Sequence, residues 1–582
     1  MTSWESTMNK MILVHQNNTI AKTIIENRKT LDVETDNIDK EMLDFIATHI
    51  SNKNLQTIFI KDSLSKNYLE FYGLLLAHHI RLSNDATIKY LPIIIISDLN
   101  IYQLNKLTPL ANICYTEGVY LVDNDLSKIN NILIKDLLGL EQFNFNHSFL
   151  ECINIKPPSN YDSKHSIANE WAIYQWSEFL EIKIDTIEAN ISSMLYFKYL
   201  QAKNIKESLL TRDENPPQKF SQEGKILFID DEYAKGWGEI FKEQFESNPN
   251  FSILEKEYKG KKRNKIIEMV TDSIDINNLP DIIILDLRLC DDDFNFNDDK
   301  DLDKITGMQL IKKIHDINPA IQIILWTASG DSNILNKANN LNILGYIKKE
   351  YPGDRTADVN SNIKIMSSLI DKGLEKKYLK KVWDIQEDIL KLNIFKEDEF
   401  KEDEFKKDKF KEMNFEIKSI FEILDSEMKN RFNYTIFTIF KCIEIISYLY
   451  IEEKDRKACW NDSGEIINDT GYHKYRRSIE TSNLEHIKNE NNKRYNNQGN
   501  ISVENKIRTI MHEKLDITLD ITSDELHSQI KCIVCVRNHL IHSDKEYEEK
   551  DFCKKIIEEQ PTKENILTWF KMLQTILEKI AK

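Results

Sequence analysis

The apolar run Ile226 to Ile229 ends in two adjacent carboxylates, Asp230 and Asp231, and the run Ile282 to Leu285 ends in a third, Asp286. Two further runs, Ile321 to Trp326 and Leu344 to Ile347, end at Thr327-Ala328 and beside Lys349. Read as parallel strands of a doubly wound sheet, all four runs deliver their terminal groups to one rim, because ligand groups collect beyond the carboxyl ends of such strands. Three carboxylates crowded there repel one another and attract a hard divalent cation such as Mg2+, which prefers oxygen ligands. Thr327 adds a hydroxyl and Lys349 a cation. A second group lies far along the chain, at Arg537, Asn538 and His542. A guanidinium offers phosphate a planar fork of donors, and an imidazole titrating near neutrality can act as general acid or base.

The order acidic pair, single Asp, Thr-Ala and Lys, one per strand end across residues 225–350, resembles the receiver domain of two-component response regulators. The resemblance implies a five-stranded doubly wound parallel sheet in which Asp286 accepts a phosphoryl group from a histidine kinase or another phosphodonor. It implies that Asp230, Asp231 and Asp286, with the backbone carbonyl of Arg288, hold Mg2+. It implies also that Thr327 and Lys349 contact the phosphoryl oxygens and that Tyr346 changes position with Thr327. Acyl phosphate formation needs a metal to neutralise charge and an in-line nucleophile, and little else from the protein. Two features depart from the family pattern. An acidic insertion, Cys290 to Asp303, precedes Gly307, the glycine expected to open the next helix; it reads as too polar to pack and so as a solvated loop, able to oppose added negative charge or to compete for the metal. Glu350 stands where the family usually has proline, so a differently shaped loop is expected after Lys349.

Length and composition bound the remainder. A chain of 582 residues exceeds one core, and its 41% apolar content suffices for ordinary packing. The net charge of -17 argues against a membrane surface or a wholly basic nucleic-acid binder. Met1 to Gln16 lacks a signal-peptide pattern, and the most apolar long stretch, Tyr434 to Tyr450, contains Lys441 and Glu444. A cytoplasmic protein with eight reduced, mostly buried cysteines is expected.

The pattern divides the chain into an α/β plus all-α architecture. Residues 1–155 form an N-terminal α/β domain with apolar runs at Leu55 to Ile60, Leu91 to Ile96 and Val119 to Val122. It reads as a degenerate receiver: Lys61-Asp62 and Ser97-Asp98 stand at run ends, but the acid cluster is incomplete, so a dimerising or partner-binding role is expected. Residues 156–220 form a helical connector of one or two helices carrying Trp171, Trp176, Phe179 and Leu180, and residues 221–375 hold the receiver. In the spacer 376–415, Phe395, Phe400, Phe405, Phe410 and Phe415 recur every five residues. A five-residue step turns about 140° on a helix, so these rings build no single face.

Residues 416–582 read as a helical bundle containing Cys532-Ile-Val-Cys-Val-Arg-Asn-His-Leu-Ile-His-Ser543. Arg537-Asn538 with His542 five positions after the Arg resembles the R-x4-H pattern of the HEPN superfamily of small helical domains, many of which are ribonucleases needing no metal. The resemblance implies RNA cleavage by 2'-hydroxyl attack on the adjacent phosphate, with Arg537, Asn538 and His542 catalytic and no cofactor. On a regular helix Arg537 and His542 are about 140° apart, so one copy makes a poor site; the family pairs two protomers, and a homodimer is expected. A rival zinc reading of Cys532, Cys535, His539 and His542 fails on distance, since that stripe spans about 15 Å of helix. Residues 411–582 carry 27 basic and 30 acidic side chains. Within them Lys474, Arg476, Arg477, Lys488, Lys493 and Arg494 alternate with Tyr472, Tyr475 and Tyr495, a composition suited to RNA phosphates and bases, or to a solvated loop.

Together these readings describe a response regulator whose HEPN endoribonuclease output is set by phosphorylation at Asp286, in stress response or anti-phage defence by family analogy. The alternative is a non-catalytic signalling adaptor whose helical domain binds a protein or RNA.

Overall fold

The computed structural model describes residues 10–16, 25, 27–33, 37–132, 137–158, 164–208, 219–221, 223–295, 302–328, 332–352, 358–395, 404–454, 457–462, 503–515, 521–541, 556 and 560–582. Two parallel five-stranded sheets follow one another along the chain, and a helical bundle follows them. Among the described residues no helix is long and apolar enough to cross a membrane.

The first sheet contains β1 (Met11–His15), β2 (Arg28–Thr30), β3 (Thr57–Lys61), β4 (Ile93–Ser97) and β5 (Val119–Asp123), in spatial order β2-β1-β3-β4-β5. Its helices include α1 (Ile38–His49), α2 (Tyr72–Arg81) and α3 (Ile101–Leu107). The second sheet contains β6 (Ile226–Ile229), β7 (Phe251–Ile253), β8 (Ile282–Asp286), β9 (Gln322–Thr327) and β10 (Gly345–Lys348), in order β10-β9-β8-β6-β7. Its helices are α7 (Trp237–Gln244), α8 (Arg263–Thr271), α9 (Thr306–Ile317), α10 (Ser332–Asn339) and α11 (Val359–Glu375). The two orders are the same doubly wound topology, with the first strand between the second and third. β4 and β8 are buried along their whole length, as strands covered by helices on both faces must be, and this explains their unbroken isoleucine-rich runs.

The connector holds three helices, α4 (Lys164–Leu180), α5 (Asp185–Ser193) and α6 (Leu195–Ser208), where the sequence pattern suggested one or two. It is not a detached linker. Trp171, Trp176, Phe197 and Leu200 share a core with Phe228, Trp237, Ile284 and Trp326 of the second sheet domain, while Leu195 and Tyr199 enter the core of the first.

The bundle consists of α12 (Leu379–Leu390), α13 (Glu404–Asp425), α14 (Arg431–Tyr450), α15 (Val503–Glu513), α16 (Ile521–Ile541) and α17 (Lys563–Ile580), with a short hairpin of β11 (Ile451–Lys454) and β12 (Lys457–Trp460) after α14. Leu379, Val382, Ile389, Phe410 and Met413 lie in one core with Ile443, Ile533 and Phe570. The charged stretch read as a spacer over 376–415 therefore contributes two helices to the bundle. Its five-residue repeat behaves as helical geometry requires: Phe410 is buried, whereas Phe405 and Phe415 are exposed.

The acidic insertion also differs from a fully solvated loop. Asp293 is wholly buried, and its carboxylate accepts from the backbone N–H of Cys290 and Thr306, the Thr306 hydroxyl and Arg263. Leu302 is buried beside it. An acid can pack where backbone donors and a guanidinium satisfy it, which composition alone does not reveal. Residues 296–301 of the insertion lie outside the described residues.

Candidate functional site

The second sheet delivers its polar groups to one rim. The carboxylates of Asp230, Asp231 and Asp286 offer oxygens all within 4.8 Å of one another. Registration brings them there: Ile229 pairs with Leu285 on the neighbouring strand, so the residues that follow, Asp230 and Asp286, emerge side by side. Lys349 Nζ reaches across to Asp230 Oδ2 at 2.9 Å and Asp286 Oδ2 at 3.1 Å, with all three side chains buried. Asp286 Oδ1 accepts from the backbone N–H of Leu287 at 2.6 Å and Arg288 at 3.5 Å, and Asp230 Oδ1 from that of Glu232 at 2.8 Å.

Charge in this site is unbalanced, with three acids facing one lysine. Burial pushes Asp230 up to about 6 against the pull of Lys349. Burial and the neighbouring charge of Asp230 hold Asp231 well above the usual carboxylate range, and burial raises Asp286 as well. For Lys349 burial disfavours the ammonium, but the facing carboxylates of Asp230 and Asp286 outweigh it and keep the group protonated. Asp231 Oδ1 is buried without a hydrogen-bond partner. Three clustered carboxylates, one with an orphaned oxygen, are a donor set that fits a hard divalent cation. Arg288 follows on the same rim, two residues after Asp286.

Thr327 is buried at the end of β9, and its carbonyl accepts from the backbone N–H of Lys349 at 2.8 Å. Tyr346, on β10, is 39% exposed. Gly307 opens α9 as the pattern requires. Its N–H donates to the Leu287 carbonyl at 2.9 Å, and a Cβ would come within 2.6 Å of that oxygen.

The first sheet repeats this frame with different groups at the acidic positions and a hydroxyl retained at the strand end that carries Thr327. Gly73 donates to the Asp62 carbonyl as Gly307 does to that of Leu287, which places Lys61 where the second sheet has Asp286. Ile60 pairs with Val14 as Leu285 pairs with Ile229, so His15 and Gln16 stand in place of Asp230 and Asp231. Ser97 takes the place of Thr327, because Lys61 pairs with Ile96 as Asp286 pairs with Trp326. The buried Lys61 ammonium is held by Asp98 at 2.7 Å and Asp62 at 3.0 Å. A lysine thus occupies the nucleophile's position and the acid pair is replaced by His15 and Gln16, so among the described residues the three-carboxylate cluster is found in the second sheet and not in the first.

Comparison with known families agrees with this geometry. Residues 8–122 match the family described as Inactive Receiver domain, and the N-terminal domain is receiver-like. No curated protein matches the chain.

The R-x4-H motif is placed only in part. Arg537 lies on α16, where its guanidinium donates to Asn538 Oδ1 at 3.0 Å and sits 4.6 Å from the ring centroid of Phe440 on α14. Cys532 is in the bundle core. His542 and the basic cluster containing Lys474, Arg476 and Arg477 lie outside the described residues.

Sequence reasoning missed the groups that surround the acidic site. Glu350, at the position where proline was expected, is buried, and its carboxylate accepts from Trp176 Nε1 and Asn362 Nδ2, each at 2.8 Å. Glu232 accepts from Ser166 at 3.1 Å and from Asn169. Both acids followed a named site residue in the chain, which was the available signal; their partners are remote and left none.

Proposed function

We propose that the chain is a phosphorylation-controlled regulator in which Asp286 is the phosphoacceptor. The observation that carries this reading is the buried cluster of Asp230, Asp231 and Asp286 with Lys349 bridging two of them. In the reaction, a carboxylate oxygen of Asp286 attacks the phosphorus of a phosphohistidine or a small phosphodonor. A P–O bond to Asp286 forms as the bond to the donor's leaving group breaks, and that group departs with the bonding pair. Asp230, Asp231, Asp286 and the carbonyl of Arg288 would hold Mg2+, which supplies neutralisation of charge on the transferring oxygens. Lys349 moves from the Asp286 carboxylate to the new phosphoryl oxygens, and the Thr327 hydroxyl donates to another. The Thr327 and Tyr346 face then carries the change to the rest of the molecule.

For the output we propose a metal-independent HEPN-type endoribonuclease formed by a homodimer, with Arg537, Asn538 and His542 from both chains acting on RNA and Lys474, Arg476 and Arg477 binding it. Arg537 on a helix of the terminal bundle supports this reading. Its hydrogen bond to Asn538 and contact with Phe440 favour a second one, a non-catalytic adaptor in which Arg537 is structural. Purified protein incubated with a broad set of RNAs without metal decides between them, compared with His542→Ala and with and without a small phosphodonor plus Mg2+. Cleavage that vanishes in the variant and responds to phosphodonor supports the nuclease; intact RNA in every state leaves the adaptor.

A further inference from the structure

The acidic site is gripped from outside its own domain. Each of three strand ends that supply it continues into, or is preceded by, a residue in contact with the connector helix α4. After Asp231 comes Glu232, whose carboxylate accepts from Ser166 and Asn169 of α4. After Lys349 comes Glu350, which accepts from Trp176 Nε1. Before Thr327 comes Trp326, packed edge-on against Trp176 at 5.1 Å and Trp237 at 4.8 Å. Trp237 in turn donates to Asn169 Oδ1 at 2.7 Å. The Lys349 ammonium lies 5.5 Å and 5.7 Å from the ring centroids of Trp237 and Trp326. Ser166, Asn169, Trp176, Glu232 and Glu350 are all buried.

The same connector is interlocked with the N-terminal domain. On α6, Phe197 and Leu200 belong to the core shared with α4 and the second sheet, and Phe197 stacks on Trp171 of α4 at 6.4 Å. Leu195 and Tyr199, on that same helix, belong to the first domain's core. The Leu195 N–H donates to Asp39 Oδ2 at 3.2 Å, and the Tyr199 hydroxyl donates to the Ile153 carbonyl at 3.0 Å. Close-packed, hydrogen-bonded elements of this kind shift as units and do not deform smoothly.

We propose that α4 is a positioning element of the acidic site, and that cation and phosphoryl loading at Asp286 is relayed through α4 and α6 to the N-terminal receiver-like domain. A divalent cation at the three carboxylates competes with Lys349 for Asp230 and Asp286. Lys349 must give way, and it is joined to Glu350, which is tethered to Trp176. Asp231 is fixed from the other side through Glu232, Asn169 and Ser166. The N-terminal domain, with Lys61 in place of an acceptor, has no loading event of its own and receives that of the second domain. This relay rests on the reading of Asp286 as a loaded site.

Hydrogen exchange on the full chain tests it, with and without Mg2+ plus beryllofluoride as the phosphoryl mimic, alongside tryptophan emission as an independent readout of binding. In the parent, loading alters exchange in 164–180 and 195–208 as well as in 226–350. Trp176→Phe keeps an aromatic ring but removes the N–H donated to Glu350; at Mg2+ and beryllofluoride concentrations that saturate the variant by tryptophan emission, the exchange change no longer reaches 195–208. Ser166→Ala, a smaller change, weakens Mg2+ binding by about threefold to tenfold through lost fixation of Glu232, with the metal-free melting temperature retained. A parent that binds Mg2+ while 164–208 exchanges as before overturns the relay and leaves the site reading intact. A parent that shows neither emission nor exchange change on loading overturns the site reading and the relay with it.

Discussion

Replacing Glu350 by Gln isolates the cost of one buried carboxylate. Burial pushes Glu350 up from the usual 4.5 to about 7. Its folded-state value lies above its unfolded one, so its contribution to stability is fully present below pH 4.5 and is lost as pH rises through about 7. The full loss is 2.303RT times the displacement, about 3 kcal/mol. Gln removes the charge, but its amide nitrogen only donates, so it opposes one of the two N–H groups that Trp176 and Asn362 offer at every pH, whereas the hydroxyl oxygen of the protonated acid keeps a lone pair that can still accept. Glu350→Gln should therefore carry a constant cost from that opposed pair, and its stability relative to the parent should rise by about 3 kcal/mol between pH 4.5 and pH 8, or roughly 5–10 °C in the melting temperature of a domain of this size. Thermal melts of both proteins across this pH range, with chelator present to keep the acidic site metal-free, measure the difference. Asp230, Asp231 and Asp286 lend both proteins the same slope, and it cancels. A difference that stays flat with pH, or a variant less stable by one amount throughout, refutes the argument that burial raises this acid.

Asp286→Asn should abolish phosphoryl incorporation from a small phosphodonor with Mg2+, read by intact mass; label retained in the variant would move the acceptor elsewhere. Lys349→Met strands Asp230 and Asp286 as buried unpaired charges and should destabilise the metal-free protein by about 3–5 kcal/mol. Because a divalent cation can take over the lysine's role, Mg2+ should raise the melting temperature of this variant by more than that of the parent, and an equal rise would count against the cation site. Lys61→Met removes the cation facing the buried Asp62, which keeps donors from Ser63 and Ser97, and should destabilise by at most about 3–5 kcal/mol without creating a phosphoryl-accepting site, checked by melting and by intact mass after phosphodonor treatment.

Reading this protein from its sequence succeeds where chemistry and local order coincide. The runs ending at Asp230, Asp286, Thr327 and Lys349 are each too apolar to be anything but covered strands, and a parallel sheet must then gather their ends at one rim. Lys61 and Ser97 at run ends likewise showed that the first domain lacks an acid cluster. The register that puts Lys61 in the acceptor's own position is a tertiary fact, since it depends on which residue of β3 lies opposite β1 and β4. Asp293 was misread because its partners, Thr306 and Arg263, come from two different helices. The charged stretch before residue 415 was misread because half-polar helices bury a narrow face, visible only once α12 and α13 meet the bundle. By itself the sequence determined the second sheet with the residues at its rim, three strands of the first and the helical character of the C-terminal region, because these follow from periodicity and from the types of residue that end each run; β1 and β2, and with them His15 and Gln16 at the first rim, came only with the structure. Only the tertiary structure decided that the connector belongs to the acidic site. Hydrogen bonds from Ser166, Asn169 and Trp176 to Glu232 and Glu350 join residues more than sixty positions apart, and no local pattern encodes such a meeting.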